Sequence, residues 1–136
     1  MRHFLLAVLL AFAFPAMAAE KLLEPALALS RSSDGITRVA ITLDACSGDI
    51  DRRILDVLIA EKIPVTLFIT ERWMLNNAET VALLAAHPAL FDIQNHGRNH
   101  VPAVIGAEKP YGITPVGTME GLDDEVMGGA NAIQHA

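Results

Sequence analysis

The sequence predicts an α/β fold built on parallel strands. Three apolar, β-branched runs recur at a nearly regular interval, at residues 39–43 (VAITL), 65–70 (VTLFIT) and, more weakly, 90–93 (LFDI). The segments between them carry apolar side chains at helical rather than alternating spacing. Strand, helix, strand, helix, strand in this order implies βαβ crossover units, which pair their strands in parallel. A chain of 136 residues, 52% of them hydrophobic, is long enough to bury one core and too short for two domains.

In chain order, residues 1–18 are expected to be a signal peptide. Met1-Arg2-His3 is a short basic start, residues 4–14 are an unbroken apolar run, and Ala16-Met17-Ala18 is a small-x-small cleavage pattern. The apolar run falls short of the roughly twenty residues that cross a hydrocarbon core, and nothing later is apolar for long enough. The mature protein is therefore expected to be soluble and secreted or periplasmic. Residues 19–38 form a lead-in, with a largely apolar stretch at 22–29 and a turn-rich SRSSDG segment at 30–35.

After the first strand, Ile50, Ile54, Leu55, Leu58 and Ile59 recur at helical spacing, with Asp49 or Asp51 available as N-cap and Ile63-Pro64 as the stop. After the second strand, Val81, Leu83, Leu84 and Ala85 predict another helix, ended by His87-Pro88. Residues 102–117 are rich in Gly and Pro. A last helix is expected over about 119–134, with Leu122, Val126, Met127, Ala130 and Ile133 on one side, weakened by Gly128 and Gly129. No strand follows it.

Charge narrows the partners. The formal net charge is −6, and loss of the leader with Arg2 leaves nine basic against sixteen acidic side chains, or −7. No Lys/Arg cluster exists to neutralise phosphates, so nucleic acid is not expected as a partner. Cys46 is the only cysteine, which excludes an internal disulfide.

The chemistry-bearing residues gather at the expected carboxyl ends of strands, where ligands of parallel α/β folds bind. His96 and His100, four apart in IQNHGRNH, have a spacing that suits two imidazole ligands of a Zn²⁺-like ion. Asp44 ends the first strand in TLDAC, either as a carboxylate facing the same mouth or as the cap of the turn that follows. Cys46 reads as a small packed residue before it reads as a thiol nucleophile paired with His96. Asn95 reads as a turn former or a support for the histidine loop, and Trp73 as a packing residue before a sugar-stacking one.

Taken together, VAITLDAC at 39–46, IPVTLFIT at 63–70 and NHGRNH at 95–100 resemble the NodB-type polysaccharide deacetylases, the family 4 carbohydrate esterases. The likeness spans residues 39–134. It implies a distorted (β/α) barrel with parallel strands, and hydrolysis of N- or O-linked acetyl groups on a carbohydrate substrate such as a polysaccharide or oligosaccharide. It also implies a divalent metal, most commonly Zn²⁺, held by an Asp and two His, with a further Asp as general base. Carried over residue by residue, Asp44 is the expected base and His96 and His100 the expected metal ligands.

Two positions depart from the family pattern. Ala45 stands where the family has its metal carboxylate, so Asp51, or else Asp49, is the expected third ligand; otherwise the histidines share the metal with water. Gly97 stands where the family has a hydroxyl residue. The later family blocks, containing Arg, Asp-Trp and Leu-x-His with the general acid, find no counterpart, and His135 in IQHA does not match the last of them. Residues 39–136 are thus expected to be the amino-terminal part of the catalytic domain, a barrel incomplete at its carboxyl end, with little activity of its own. The rival expectation is a non-catalytic exported α/β module that binds a glycan or a partner.

Overall fold

The computed structural model describes residues 33–136. The expected signal peptide and most of the lead-in lie outside them. Two compact units divide the chain, 1–37 and 38–136. Of the first, the described residues show a turn at Ser33-Asp34, where the Ile36 N–H donates to Asp34 Oδ1 at 2.9 Å.

The second unit runs β1 (Thr42–Ala45), α1 (Arg52–Ala60), β2 (Val65–Ile69), α2 (Glu71–Asn76), α3 (Ala78–Ala85), β3 (Phe91–Asn95) and α4 (Met119–Gln134), with a short 3-10 turn at Pro110–Gly112. The strands form one parallel sheet in the order β1-β2-β3. Thr42 pairs with Thr66 and Asp44 with Phe68, while Phe68 in turn pairs with Gln94. The α/β class and the parallel pairing agree with the sequence reading. Among the described residues no helix is long and apolar enough to cross a membrane.

Several boundaries differ from the expectation: β2 ends at Ile69 rather than residue 70, and β3 starts at Phe91 and runs on to Asn95 rather than ending at residue 93. The first strand begins at Thr42 rather than Val39, whose side chain is exposed, and continues through Ala45. The reason is pairing: β2 starts at Val65, and its parallel register gives β1 partners only from Thr42 onward. The expected second helix is two helices, parted at Asn77 (φ −129°, ψ 40°). The Asn77 side chain donates to the Trp73 carbonyl at 2.9 Å and to the Gly48 carbonyl at 3.0 Å, so the break is tied to the loop after β1.

Caps set the other ends. Asp51 accepts from the Arg53 N–H to start α1, Thr70 from the Trp73 N–H to start α2, and Thr118 from the Gly121 N–H to start α4. Lys62, at φ 54°, takes the left-handed position that closes α1, with the Ile63 N–H returning to the Leu58 carbonyl.

The core lies on one side of the sheet. Leu43, Ala45, Leu67, Ile69 and Ile93 join Leu55 and Leu58 of α1, Trp73 and Met74 of α2, and Val81 and Leu84 of α3. Burying a side chain such as Ile69 or Leu84 contributes about 1.5–3 kcal/mol. Trp73, at 3% exposure, belongs wholly to this packing and presents no face to a sugar. Alternation along the strands sends Thr42, Asp44, Thr66, Phe68, Asp92 and Gln94 to the opposite face. That face is mostly polar, with Thr66 Oγ1 donating to Asp92 Oδ2 and Gln94 Nε2 to Asp92 Oδ1.

Candidate metal centre at the strand ends

Three strand ends converge because the register is parallel and nearly in step: Ala45 pairs with Ile69, and Ile69 with Asn95. The residues that follow, Cys46, Thr70 and His96, therefore arrive side by side. Thr70 is fully buried and ties them together. Its hydroxyl donates to the Cys46 carbonyl at 2.8 Å and accepts from the Trp73 N–H at 3.0 Å, while its N–H reaches the Ala45 carbonyl at 3.2 Å. The His96 N–H continues the ladder to the Ile69 carbonyl at 3.0 Å.

The chain then turns sharply. Asn95 Oδ1 accepts from the Gly97 N–H at 2.8 Å, and Gly97 takes φ 87°, a left-handed conformation that glycine adopts without cost. His100, at φ 62°, adopts the same region with a side chain, a strain of about 1–3 kcal/mol that such sites hold when their surroundings over-determine them. The two imidazoles come to 4.7 Å between ring centroids at a tilt of 35°. Phe68 stands beside them, 6.4 Å from the His96 ring, on the sheet face that also carries Asp44.

Two helices clamp this loop. At the start of α2 the Glu71 and Arg72 N–H groups donate to the Gly97 and Arg98 carbonyls at 3.1 and 3.0 Å. Glu71 also pairs with the Arg98 guanidinium at 2.8 Å. From α4 comes Glu125, only 8% exposed. Its carboxylate accepts from the Asn99 N–H at 2.9 and 3.1 Å and from the Val101 N–H at 3.1 Å. The Asn95 amide donates to the Val126 carbonyl at 2.9 Å. A Cβ at Gly97 would approach Glu125 Oε1 to 2.6 Å, so glycine is what the clamp admits there.

Cys46, His96 and His100 each offer a donor atom, and the three atoms lie within 4.8 Å of one another. His96 Nε2 is buried with no hydrogen-bond partner. An unsatisfied buried polar atom costs about 1–3 kcal/mol, and a bound cation is one of the things that repays it. Nitrogen and sulfur donors on a half-buried shelf fit a borderline-soft divalent ion, so the residues present suit a Zn²⁺-like metal.

The structure thus brings the two sequence-predicted histidines together and adds Cys46 to them. Asp44, next to last in β1, is exposed, on the Phe68 face of the sheet. Asp51 is not a member of the cluster. Its carboxylate caps α1 and pairs with Arg53 at 2.6 Å, and hydrogen bonds from Arg53 hold its pKa down to about 2. Asp49 is exposed on the same connection and is not in the cluster either.

Sequence reasoning passed over Glu125 and Thr70, and weighed the Cys46 sulfur as a nucleophile but not as a metal ligand. For Glu125 one signal existed: the paired glycines a turn further along α4 mark a face approached closely by another backbone. Gly128 lies against the Arg98 side chain, and a Cβ on Gly129 would run into Asn95 and the Gly97 carbonyl.

Residues 31–121 match the family model described as polysaccharide deacetylase, a span that includes Asp44, Cys46, His96 and His100. Neither the curated proteins nor the solved structures compared with the chain give a match.

Proposed function

The chain belongs to the polysaccharide deacetylase family, and from that premise we propose that it is an exported, metal-dependent hydrolase that removes acetyl groups, N- or O-linked, from a carbohydrate. The observation that supports this most is the pair of adjacent imidazoles just after β3, one with a buried nitrogen lacking any hydrogen-bond partner. His96 and His100 are the proposed ligands. A divalent metal held there supplies Lewis acidity, acidifying water and polarising the acyl oxygen.

The chain's own residues have separate tasks. Asp44, exposed near the end of β1, is the proposed general base, a carboxylate open to the water it must deprotonate. Phe68, on the sheet face that carries Asp44, sets an apolar ring 6.4 Å from the His96 ring. The clamp of Glu125 and α2 holds the histidine loop still, so that reacting groups meet in one geometry. Export is supported by the leader pattern of residues 1–18.

Departure of an amine or sugar hydroxyl needs a proton. Among the described residues Glu125 is engaged by backbone N–H groups, and the His135 ring is bonded to the Asn131 carbonyl on α4. A placed general acid is worth roughly 10²- to 10⁴-fold, so sugar acetyl release is expected to be slow, while an aryl acetate, whose leaving group needs no proton, should be cleaved more readily. The test is Zn²⁺-dependent release of acetate from an aryl acetate and from an acetylated chito-oligosaccharide. Asp44→Asn and the His96→Ala/His100→Ala pair should abolish the metal-dependent rate on both. Hydrolysis indifferent to metal and to these substitutions would refute the reading.

A further inference from the structure

We propose that Cys46 supplies a third protein ligand as its thiolate, making the centre Cys-His-His in place of the carboxylate-containing set that the family resemblance implies. The inference rests on the reading of His96 and His100 as ligands and adds to it. Its first support is position: the Cys46 sulfur and one nitrogen of each imidazole lie within 4.8 Å of one another. Four-coordinate zinc sets N and S donors about 3.3–3.6 Å apart, so loading asks for closure by about an ångström, within reach of side-chain rotation.

The second support is anchoring. The Cys46 carbonyl accepts from the buried Thr70 hydroxyl at 2.8 Å and from the Arg72 guanidinium at 3.4 Å, which fixes the backbone from which the sulfur projects. Thr70 also caps α2, whose first N–H groups hold Gly97 and Arg98. The backbone segments that carry the sulfur and the imidazoles are therefore tied into one hydrogen-bonded unit. The third is the lack of a competing carboxylate within the cluster. Ala45 carries no donor and packs into the core, while Asp51 is spent on the α1 cap and on Arg53.

The chemical consequence is selectivity. A thiolate with two imidazoles favours Zn²⁺ and Co²⁺ over Mg²⁺, Ca²⁺ and Mn²⁺, which prefer oxygen donors. A thiolate keeps the one negative charge that a carboxylate ligand would bring. It also leaves a coordination position open for a further ligand.

The experiment is Co²⁺ titration of the full chain, read by near-ultraviolet and visible absorption and repeated on Cys46→Ser and His96→Ala/His100→Ala. The expected result is a sulfur-to-cobalt charge-transfer band that saturates at one equivalent. It should disappear in Cys46→Ser, with Co²⁺ affinity weaker by about 10- to 100-fold or more. Because Cys46 is the only cysteine, a thiolate band in the unmodified chain identifies it even if the serine variant fails to fold. Co²⁺ bound through the histidines with no charge-transfer band overturns the cysteine ligand and leaves the histidine reading standing. A folded chain that binds no Co²⁺ overturns both.

Discussion

Glu125 shows how much one side chain can decide. A carboxylate at 8% exposure is costly to bury, and here the cost is offset by N–H donors from Asn99 and Val101, flanking His100. Hydrogen bonds to a charged group contribute about 1.5–3 kcal/mol, so Glu125→Ala should destabilise the fold by roughly 2–4 kcal/mol, since it also leaves those donors unpaired. The measurement is urea unfolding joined to amide exchange. Exchange at Asn99 and Val101 should accelerate more than at the β2 core, and an equal change everywhere would mean that Glu125 acts on global stability alone. No charged partner for this residue is legible in the sequence because its partners are backbone groups, which every sequence contains.

Among the elements, α4 departs most from its sequence pattern. Its span, Met119–Gln134, is the expected one, and Leu122, Ala130 and Ile133 of the expected face are partly buried, but Val126 and Met127 are each 46% exposed and the most buried positions are Glu125 and Gly129. The helix seats on a polar loop at backbone distance, so small residues and one carboxylate replace the apolar stripe that a core would demand. The paired glycines are a docking feature, whatever they subtract from helix propensity. Replacing an interior helical glycine by alanine ordinarily gains about 1 kcal/mol. At Gly129 the added Cβ meets the Gly97 carbonyl at 2.6 Å, so Gly129→Ala should instead cost about 1–3 kcal/mol. At Gly128 the added Cβ meets Arg98 Cδ at 2.8 Å and Cβ at 3.1 Å, a side-chain contact that can give only in part, so Gly128→Ala should cost less than Gly129→Ala. Paired thermal or denaturant unfolding of the two variants decides the point, and equal effects would show that α4 does not dock this closely.

For the molecule as a whole, one sheet face holds the core and the other presents Thr42, Asp44, Thr66, Asp92 and Gln94 beside Phe68. Ligands that bind only the folded chain stabilise it by mass action, by about 2.7 kcal/mol at a hundred times Kd. Saturating Zn²⁺ is therefore expected to raise the unfolding midpoint of the full chain, and the His96→Ala/His100→Ala pair should remove the rise. A midpoint unmoved by Zn²⁺ in the unsubstituted chain would mean that the strand-end cluster is no metal centre.

The α/β class, the parallel order of the strands, the span of α4 and the two histidines were legible in the sequence, because each depends on local periodicity or on a short motif. Less legible were the start of β1, the break at Asn77, the inward face of α4, the Glu125 clamp and the approach of Cys46 to the imidazoles. Each of these joins residues more than twenty positions apart through register or backbone hydrogen bonds. Periodicity reports which face of an element is apolar, and spacing reports which neighbours share a turn. Only the folded chain decides which carbonyl, glycine or sulfur meets another across the ends of the strands, because that meeting is set by long-range pairing and close packing that no local pattern encodes.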